Sequence, residues 1–263
     1  MALLDLVLLK SHLGLLARRF DVDAVDTCDS TSSELLRRAE RGAPAGAVVV
    51  ADRQTAGRGR RGRTWLSVPG ESLTFSLLWH FACPSGGLAG LSLAVGVALA
   101  QGLEALGAGG ICLKWPNDVL LRCGDDFAKL AGVLVELASD AQGTQAVIGI
   151  GLNLRPPRAD LPQPAAGLDQ ALASQPDPAV VLAAILQALA GVLDTFAVDG
   201  FGGVKMQWQQ RHAWQQAEVQ VASGDDVPLA GRCLGVDDDG ALLLATRDGI
   251  RRILAGDVSL RRA

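Results

Sequence analysis

Gly57-Arg58-Gly59-Arg60-Arg61-Gly62-Arg63-Thr64-Trp65-Leu66-Ser67-Val68-Pro69-Gly70 matches the spacing G-x-G-x-x-G over its first six residues, and its reading decides the fold. Such glycines bind a dinucleotide when a helix starts among them and turns its N-terminus toward the pyrophosphate. Here no helical segment follows: Pro69-Gly70 closes the stretch, and arginine fills the variable positions. A doubly wound dinucleotide fold is therefore set aside, and residues 55–70 read as a long loop with four arginines. Before the loop, 21–27 reads as a strand, Thr31-Ser32-Ser33-Glu34 has the capping-box form that opens a helix to 41, and 45–52 is a buried strand. After it, 72–80 alternates like a strand and 87–106 reads as a helix. Strands follow at 111–114, 119–121, 129–137 and 146–154. The sum is an α+β layer architecture, a mixed β-sheet with helices.

Further along, 156–164 is a loop, 180–196 is helical, and a polar helix falls near 201–214. From Glu218 the texture changes to short strands separated by Gly224-Asp225-Asp226, Asp239-Gly240 and Asp248-Gly249, of which the Asp-Gly pairs are strong hairpin turns. The expected organisation is an amphipathic N-terminal helix in 1–25, a main domain over 26–215 and a small β domain over 216–263.

Composition excludes several classes of function. The 263 residues are 49% hydrophobic and 20% charged, the balance of a chain that folds around a core. Lys+Arg 24 against Asp+Glu 28 gives a net charge of -4, so no global basic field draws the protein to nucleic acid or an anionic membrane, and any anion site is local. The apolar stretches 88–100 and 179–193 fall short of the ~20 residues of a membrane span, and the first residues lack a signal-peptide pattern, which together predict a cytoplasmic protein. Five cysteines with no C-x-x-C spacing fit neither a disulfide framework nor a zinc site. Three scattered histidines and no tyrosine exclude a histidine triad or a tyrosine acid.

Four arginines alternating with glycines repel one another in a solvated loop, whereas a polyphosphate would draw them together. A nucleic-acid patch is the rival use. Lys114-Trp115-Pro116-Asn117-Asp118 reads equally as a tight hairpin turn or as a functional segment. Lysine usage favours function, because only Lys10, Lys114, Lys129 and Lys205 exist in a chain that otherwise writes arginine. Alternation places Lys129 on one strand face with Ala131, Val133, Val135 and Leu137, a charge on the rim of an apolar surface that needs an anionic partner. Gly149-Ile150-Gly151-Leu152-Asn153 is either a bulge and turn or a site of close ligand approach whose amide could pair with adenine. Ser30-Thr31-Ser32 taken alone reads as helix capping.

In this order, Ser30-Thr31-Ser32, the segment from Ala51 to Trp65, Lys114-Trp115-Pro116-Asn117-Asp118, Lys129-Leu130-Ala131-Gly132-Val133-Leu134 and Gly149-Ile150-Gly151-Leu152-Asn153 resemble the biotin protein ligase family. The resemblance runs from about Asp26 to the C-terminus. It implies a class II synthetase-like α+β catalytic domain followed by an SH3-like barrel. It also implies the activity of a biotin–[acetyl-CoA-carboxylase] ligase: biotin and ATP, with magnesium, give biotinyl-5'-AMP, and a lysine of a biotin carboxyl carrier protein then takes the biotin. By the same resemblance Ser30, Thr31, Ser32, Gln54, Arg58, Gly59, Arg60, Trp65, Lys129 and Gly132 bind biotin. Arg58, Arg60, Arg61, Arg63, Lys114, Asn117 and Asn153 bind ATP or the adenylate, Asp118 holds magnesium, and Arg58, Arg60, Lys114 and Lys129 are catalytic. About 25 leading residues are too few for the winged helix of the family's repressors, so specific DNA binding is not expected. A homodimer is left open. The competing expectations are a lipoate ligase and, further off, a nucleic-acid-binding module.

Overall fold

Side chains alternate across a strand, so a strand that is apolar at every second residue presents one oily and one polar face. β3 (Ser72–Phe81) does this, and the computed structural model, which describes residues 4–159, 161–223, 228–255 and 258–262, places it at the centre of a sheet. The other strands are β1 (Asp21–Cys28), β2 (Ala47–Gln54), β4 (Ile111–Lys114), β5 (Asp118–Cys123), β6 (Asp126–Asp140) and β7 (Gly143–Asn153). Their order is β1-β2-β3-β7-β6-β5-β4, with β1 and β2 parallel and every other neighbouring pair antiparallel.

One face of the sheet packs on helices. Val48, Val50, Leu73, Phe75, Leu77, Ile148, Ile150 and Leu152 meet α3 (Leu91–Ala105) and α4 (Pro178–Asp199) in the main core. α3 and α4 also pack on each other; a methyl at Gly102 would lie 3.0 Å from the Ala184 carbonyl, so glycine lets them approach. The helical stretches Ser85–Ala105 and Pro178–Asp199 are long and apolar enough to cross a membrane, which corrects the shorter lengths expected from sequence. Two thirds of each apolar window is nevertheless buried inside the protein, as in core helices. On the opposite face α2 (Thr31–Glu40) covers a smaller cluster of Leu35, Val49, Leu78 and Val147.

The N-terminal segment is not a single helix ahead of the domain. α1 (Leu6–Leu13) and a 3-10 turn lead directly into β1, which straddles the expected boundary at residue 25 because its backbone pairs with β2. Arg19 fixes this segment to α4 with two bonds to Asp194, at 2.7 and 2.8 Å. The capping box is also corrected. The N-cap is Ser30, the Thr31 amide donates to Gln54 Oε1 at 2.7 Å, and Glu34 turns to Arg37 and Arg38 instead of the helix start.

Past α5 (Lys205–Gln210), a second sheet in the order β11-β10-β9-β8-β12 comprises β8 (Glu218–Ser223), β9 (Leu229–Val236), β10 (Leu242–Thr246), β11 (Gly249–Ile253) and β12 (Val258–Arg262). This is the SH3-like unit. Gly240 and Gly249 make its turns with φ of 76° and 113°, where a side chain would be strained. The expected turn at 224–226 lies outside the described residues. The two sheets are joined by Trp115, wholly buried, whose indole N–H donates to the Gly240 carbonyl at 3.0 Å.

Candidate active site

Beyond α2 the polar face of the main sheet is floored by small side chains. Register sets Ser76 against Gly149, Thr74 against Gly151 and Gly132 against Gly151, while the intervening Phe75, Ile150 and Ala131 turn into the core. At the α2 end lies a buried chain of hydroxyls and amide. Ser76 Oγ donates to Thr31 Oγ1 at 2.8 Å and lies 3.0 Å from Ser32 Oγ, and Thr31 Oγ1 donates to Gln54 Oε1 at 3.2 Å. Ser30, Thr31, Ser32 and Ser76 are all at most 4% exposed. A methyl at Gly149 would fall 2.4 Å from Ser32 Oγ, so this network requires a bare backbone beside it. Asp29 braces the entry to α2: two bonds from Arg37 hold its carboxyl down at about 2.

The arginine loop lies over this floor as a closed hairpin. Trp65 N donates to Gly57 O at 2.9 Å and Gly59 N to Arg63 O at 2.7 Å, with a 3-10 turn over Arg60–Gly62 at its tip. The Trp65 ring rests on the two floor glycines: a methyl at Gly151 would come 2.2 Å from the indole, and one at Gly132 3.4 Å. Its Nε1 is buried over Gly151 with no hydrogen-bond partner among the described residues, an orphan donor. Arg58 reaches Glu136 at 2.6 Å. Arg60 donates to Asn117 Oδ1 at 3.3 Å and to the Ala255 carbonyl of the small domain at 3.2 Å, whereas Arg61 and Arg63 are exposed.

At the other end of the floor stand the two lysines. Lys129 Nζ pairs with Asp118 at 2.6 Å and lies 5.7 Å above the Trp65 ring; Lys114 Nζ is 3.6 Å from the same carboxylate and 5.0 Å from the Trp214 ring. Burial lowers the Lys114 pKa, Asp118 opposes that shift, and the charges of Lys129 and Arg63 add to it. The second lysine and the nearby arginine thus make this corner poorer in negative charge than its one carboxylate can balance, a place for an anion.

Three sequence expectations change here. Lys129 does not share a face with Ala131, Val133, Val135 and Leu137. A bulge opposite Val119/Leu120 inserts a residue into β6, so Leu130 and Ala131 are both core while Lys129 joins Gly132, whose added methyl would touch its Nζ at 3.3 Å. Asp118, expected to hold magnesium, has its carboxylate engaged instead by two ammonium groups. Asn153 spends its Nδ2 hydrogens on the carbonyls of Lys129 and Ala166, tying β7 to β6 and to the segment before the 3-10 turn at Leu168–Gln170, which leaves only Oδ1 for a nucleobase. Sequence reasoning missed Ser76, Glu136 and Trp214. Ser76 was signalled by the alternation Ser72, Thr74, Ser76 along β3; the other two carry no local signal.

Comparison with known proteins is consistent with this arrangement. A family model described as the Biotin/lipoate A/B protein ligase family matches residues 25–153, and one described as the Biotin protein ligase C terminal domain matches 217–261. The biotin–[acetyl-CoA-carboxylase] ligase of Paracoccus denitrificans is 36% identical over 88% of this chain and 96% of its own length, and that of Mycobacterium tuberculosis is 31% identical over 90% and 88%. The bifunctional ligase/repressor BirA of Escherichia coli is 33% identical over 92% of this chain and 74% of its own length. Among solved structures, the biotin protein ligase of Aquifex aeolicus in complex with biotin and ATP superposes with a TM-score of 0.76 at 31% identity, covering 92% of this chain and 99% of that one.

Proposed function

We propose, because the chain belongs to the biotin protein ligases of the biotin/lipoate A/B protein ligase family, that the glycine-floored face is where it joins biotin to a carrier-protein lysine at the expense of ATP. The reaction has two steps. A biotin carboxylate oxygen attacks the α-phosphorus of ATP and pyrophosphate leaves; the lysine amine then attacks the carbonyl of biotinyl-5'-AMP, forming an amide and releasing AMP. Both nucleophiles belong to substrates, so the protein need only align them and neutralise charge.

One observation carries the reading: a buried uncharged hydrogen-bond network and a cationic corner lie at opposite ends of one floor, as a ligand with a neutral polar ring and an anionic tail requires. Thr31, Ser32, Gln54 and Ser76, beside Ser30, suit the ureido ring. Gly132, Gly149 and Gly151 keep the floor bare for the aliphatic chain, and Trp65, which here rests on Gly132 and Gly151, lifts to cover that chain. The carboxylate then falls to Lys129, with Arg58, Gly59 and Arg60 closing above it. Arg61, Arg63, Lys114 and Asn117 serve the phosphates, and Asn153 Oδ1 can accept from the adenine amine. Magnesium arrives as part of the nucleotide substrate; no step is assigned to a protein-bound ion. The N-terminal segment and β1 act with the rest of the chain to residue 215 as the catalytic unit, and the sheet of β8 to β12 as the small domain docked on it.

The names of the relatives suggest the biotin carboxyl carrier protein of acetyl-CoA carboxylase as acceptor, and consumption of ATP fits a cytoplasmic setting. A carrier fragment incubated with the protein, biotin and MgATP should gain one biotin by mass spectrometry. An unmodified carrier, with lipoate transferred to a lipoyl domain instead, would reverse the assignment.

A further inference from the structure

Lys129 stands at a break in the ladder of its own strand. The bulge at Leu130 sets two core residues in a row, and β7 pairs with β6 only from Leu152 opposite Ala131 onward. Past Asn153 the chain of β7 turns away, and the amides of Leu154 and Arg155 donate to the Glu71 carbonyl at 2.8 and 3.1 Å. A broken ladder leaves main-chain groups that must be met from elsewhere. The segment that follows the prolines 156, 157, 162 and 164 meets them. Lys129 N donates to Pro164 O at 2.8 Å and Ala166 N donates to Lys129 O at 2.9 Å, so a neighbour from outside the sheet takes the place of β7. Asn153 closes the joint. Its Nδ2 donates to Lys129 O at 3.3 Å and to Ala166 O at 3.1 Å, and the residue is only 6% exposed.

We infer that Asn153 is a positioning residue for Lys129: its amide holds the backbone from which the lysine rises, and so sets where the ammonium meets the biotin carboxylate. The inference rests on the reading that Lys129 faces that carboxylate. Asp118, 2.6 Å from Nζ, and the Trp65 ring act on the tip of the side chain, whereas Asn153 acts on its root. A flexible four-carbon stem passes any shift of the root on to the charge, and a charge that neutralises a reacting group must stand within a fraction of an ångström of its place. An ordinary strand residue takes that precision from its ladder. Lys129 takes it from an irregular segment, and Asn153 is the side chain that joins the segment to the floor strands. Both hydrogens of one NH2 group are spent, each on a carbonyl, which fixes the amide and leaves Oδ1 for the nucleobase. One side chain thereby serves both partners of the bond to be made, the carboxylate through Lys129 and the nucleotide directly.

A residue that only reads the base, one that only supports the fold and one that positions Lys129 differ in what their loss does to biotin when no nucleotide is present. Calorimetry without ATP is run with biotin and with biotinol, whose carboxyl group is reduced to a neutral alcohol. Asn153→Ala should raise the Kd for biotin about tenfold and that for biotinol by less than about twofold. In a Lys129→Ala background the same change should add nothing to the biotin defect. Hydrogen exchange followed by NMR gives a reading free of ligand. The Lys129 and Ala166 amides should exchange about tenfold faster in the variant, while those of Ile148 and Ile150 in the middle of β7 keep their wild-type rates. Should the alanine variant not fold, Asn153→Ser carries the same measurements. Unchanged biotin affinity with a raised KM for ATP would make Asn153 a reader of the base alone, and equal losses for biotin and biotinol would make it a general support. Either result overturns the inference, as do unchanged exchange rates at Lys129 and Ala166. A wild-type protein that binds biotin no better than biotinol would instead overturn the placement of the carboxylate at Lys129, and the exchange rates would still decide whether Asn153 holds the backbone.

Discussion

His212 makes the stability of the protein depend on pH in a window where few other groups titrate. Its ring is 7% exposed, stacked 4.5 Å from Trp208, with Nδ1 at 3.1 Å from Gln215 Oε1 and Nε2 at 4.0 Å from the buried Cys233 thiol. Among the described residues no carboxylate shifts it, and the neighbouring Arg211 is tied to Glu104 of α3. Burial pushes the imidazole from 6.5 down to about 4, and Gln215 recovers only part of that. Above pH 6.5 the ring is neutral in both folded and unfolded chains, so its burial carries no protonation penalty. Between 6.5 and about 4 the unfolded chain takes up a proton that the folded one refuses, and stability falls at ~1.36 kcal/mol per pH unit, to a loss of about 3 kcal/mol. That is a large share of the ~5–15 kcal/mol that holds a typical domain together. Asp29, held at about 2, loses its contribution as pH falls from its ordinary value of 3.8 toward 2, so most of that loss lies below the histidine window. Urea denaturation of wild type and His212→Gln at pH 7.5 and 4.5 is the assay. Wild type should lose about 2 to 3 kcal/mol more than the variant over this interval; parallel pH dependences would refute the reasoning.

Three further outcomes follow from the site. Lys129→Ala should cut pyrophosphate release by ~10²–10³, the effect of losing a charge-stabilising donor, in a protein whose circular dichroism remains that of the folded chain; normal release would show that the ammonium does not face the reacting groups. Arg60→Gly should leave adenylate formation measurable through Arg58, Lys114 and Lys129 but let biotinyl-adenylate escape, because it removes the contacts to Asn117 and Ala255 and adds backbone freedom. Added serum albumin labelled no faster than by wild type would count against it. Gly149→Ala should abolish biotin binding in calorimetry, since its methyl would stand 2.4 Å from Ser32 Oγ; retained affinity would mean that Ser32 is not part of the pocket.

The glycine–arginine loop and the alternation of β3 were readable because each is a local pattern: a turn signal or a period of two. Lys129 stands beside Lys114 and Asp118 but not on the face that alternation gave it, because a bulge is a property of two strands in register and leaves no mark in the one that carries the extra residue. Glu136 was invisible for a similar reason; its partner is 78 residues away. Thr31-Ser32-Ser33-Glu34 looked like a capping box, yet the amide it should have satisfied is met by Gln54, a residue from the next strand. Trp115 was singled out within a turn, and nothing near it told of the carbonyl 125 positions later that receives its N–H.

The alternation along β3, β6 and β7 has a consequence for how such a protein can change. Positions 74, 76, 132, 149 and 151 form the floor of the proposed site, while their immediate neighbours 73, 75, 77, 131, 133, 148, 150 and 152 fill the core. Specificity and stability are therefore interleaved letter by letter in the same three strands but act on opposite sides of the sheet. A substitution that reshapes the pocket leaves the packing of the adjacent residue untouched, so drift in ligand preference need not be accompanied by loss of fold. The exception is the bulge beside Lys129, where two consecutive residues face the core: a one-residue insertion or deletion there would exchange the two alphabets for everything downstream on β6.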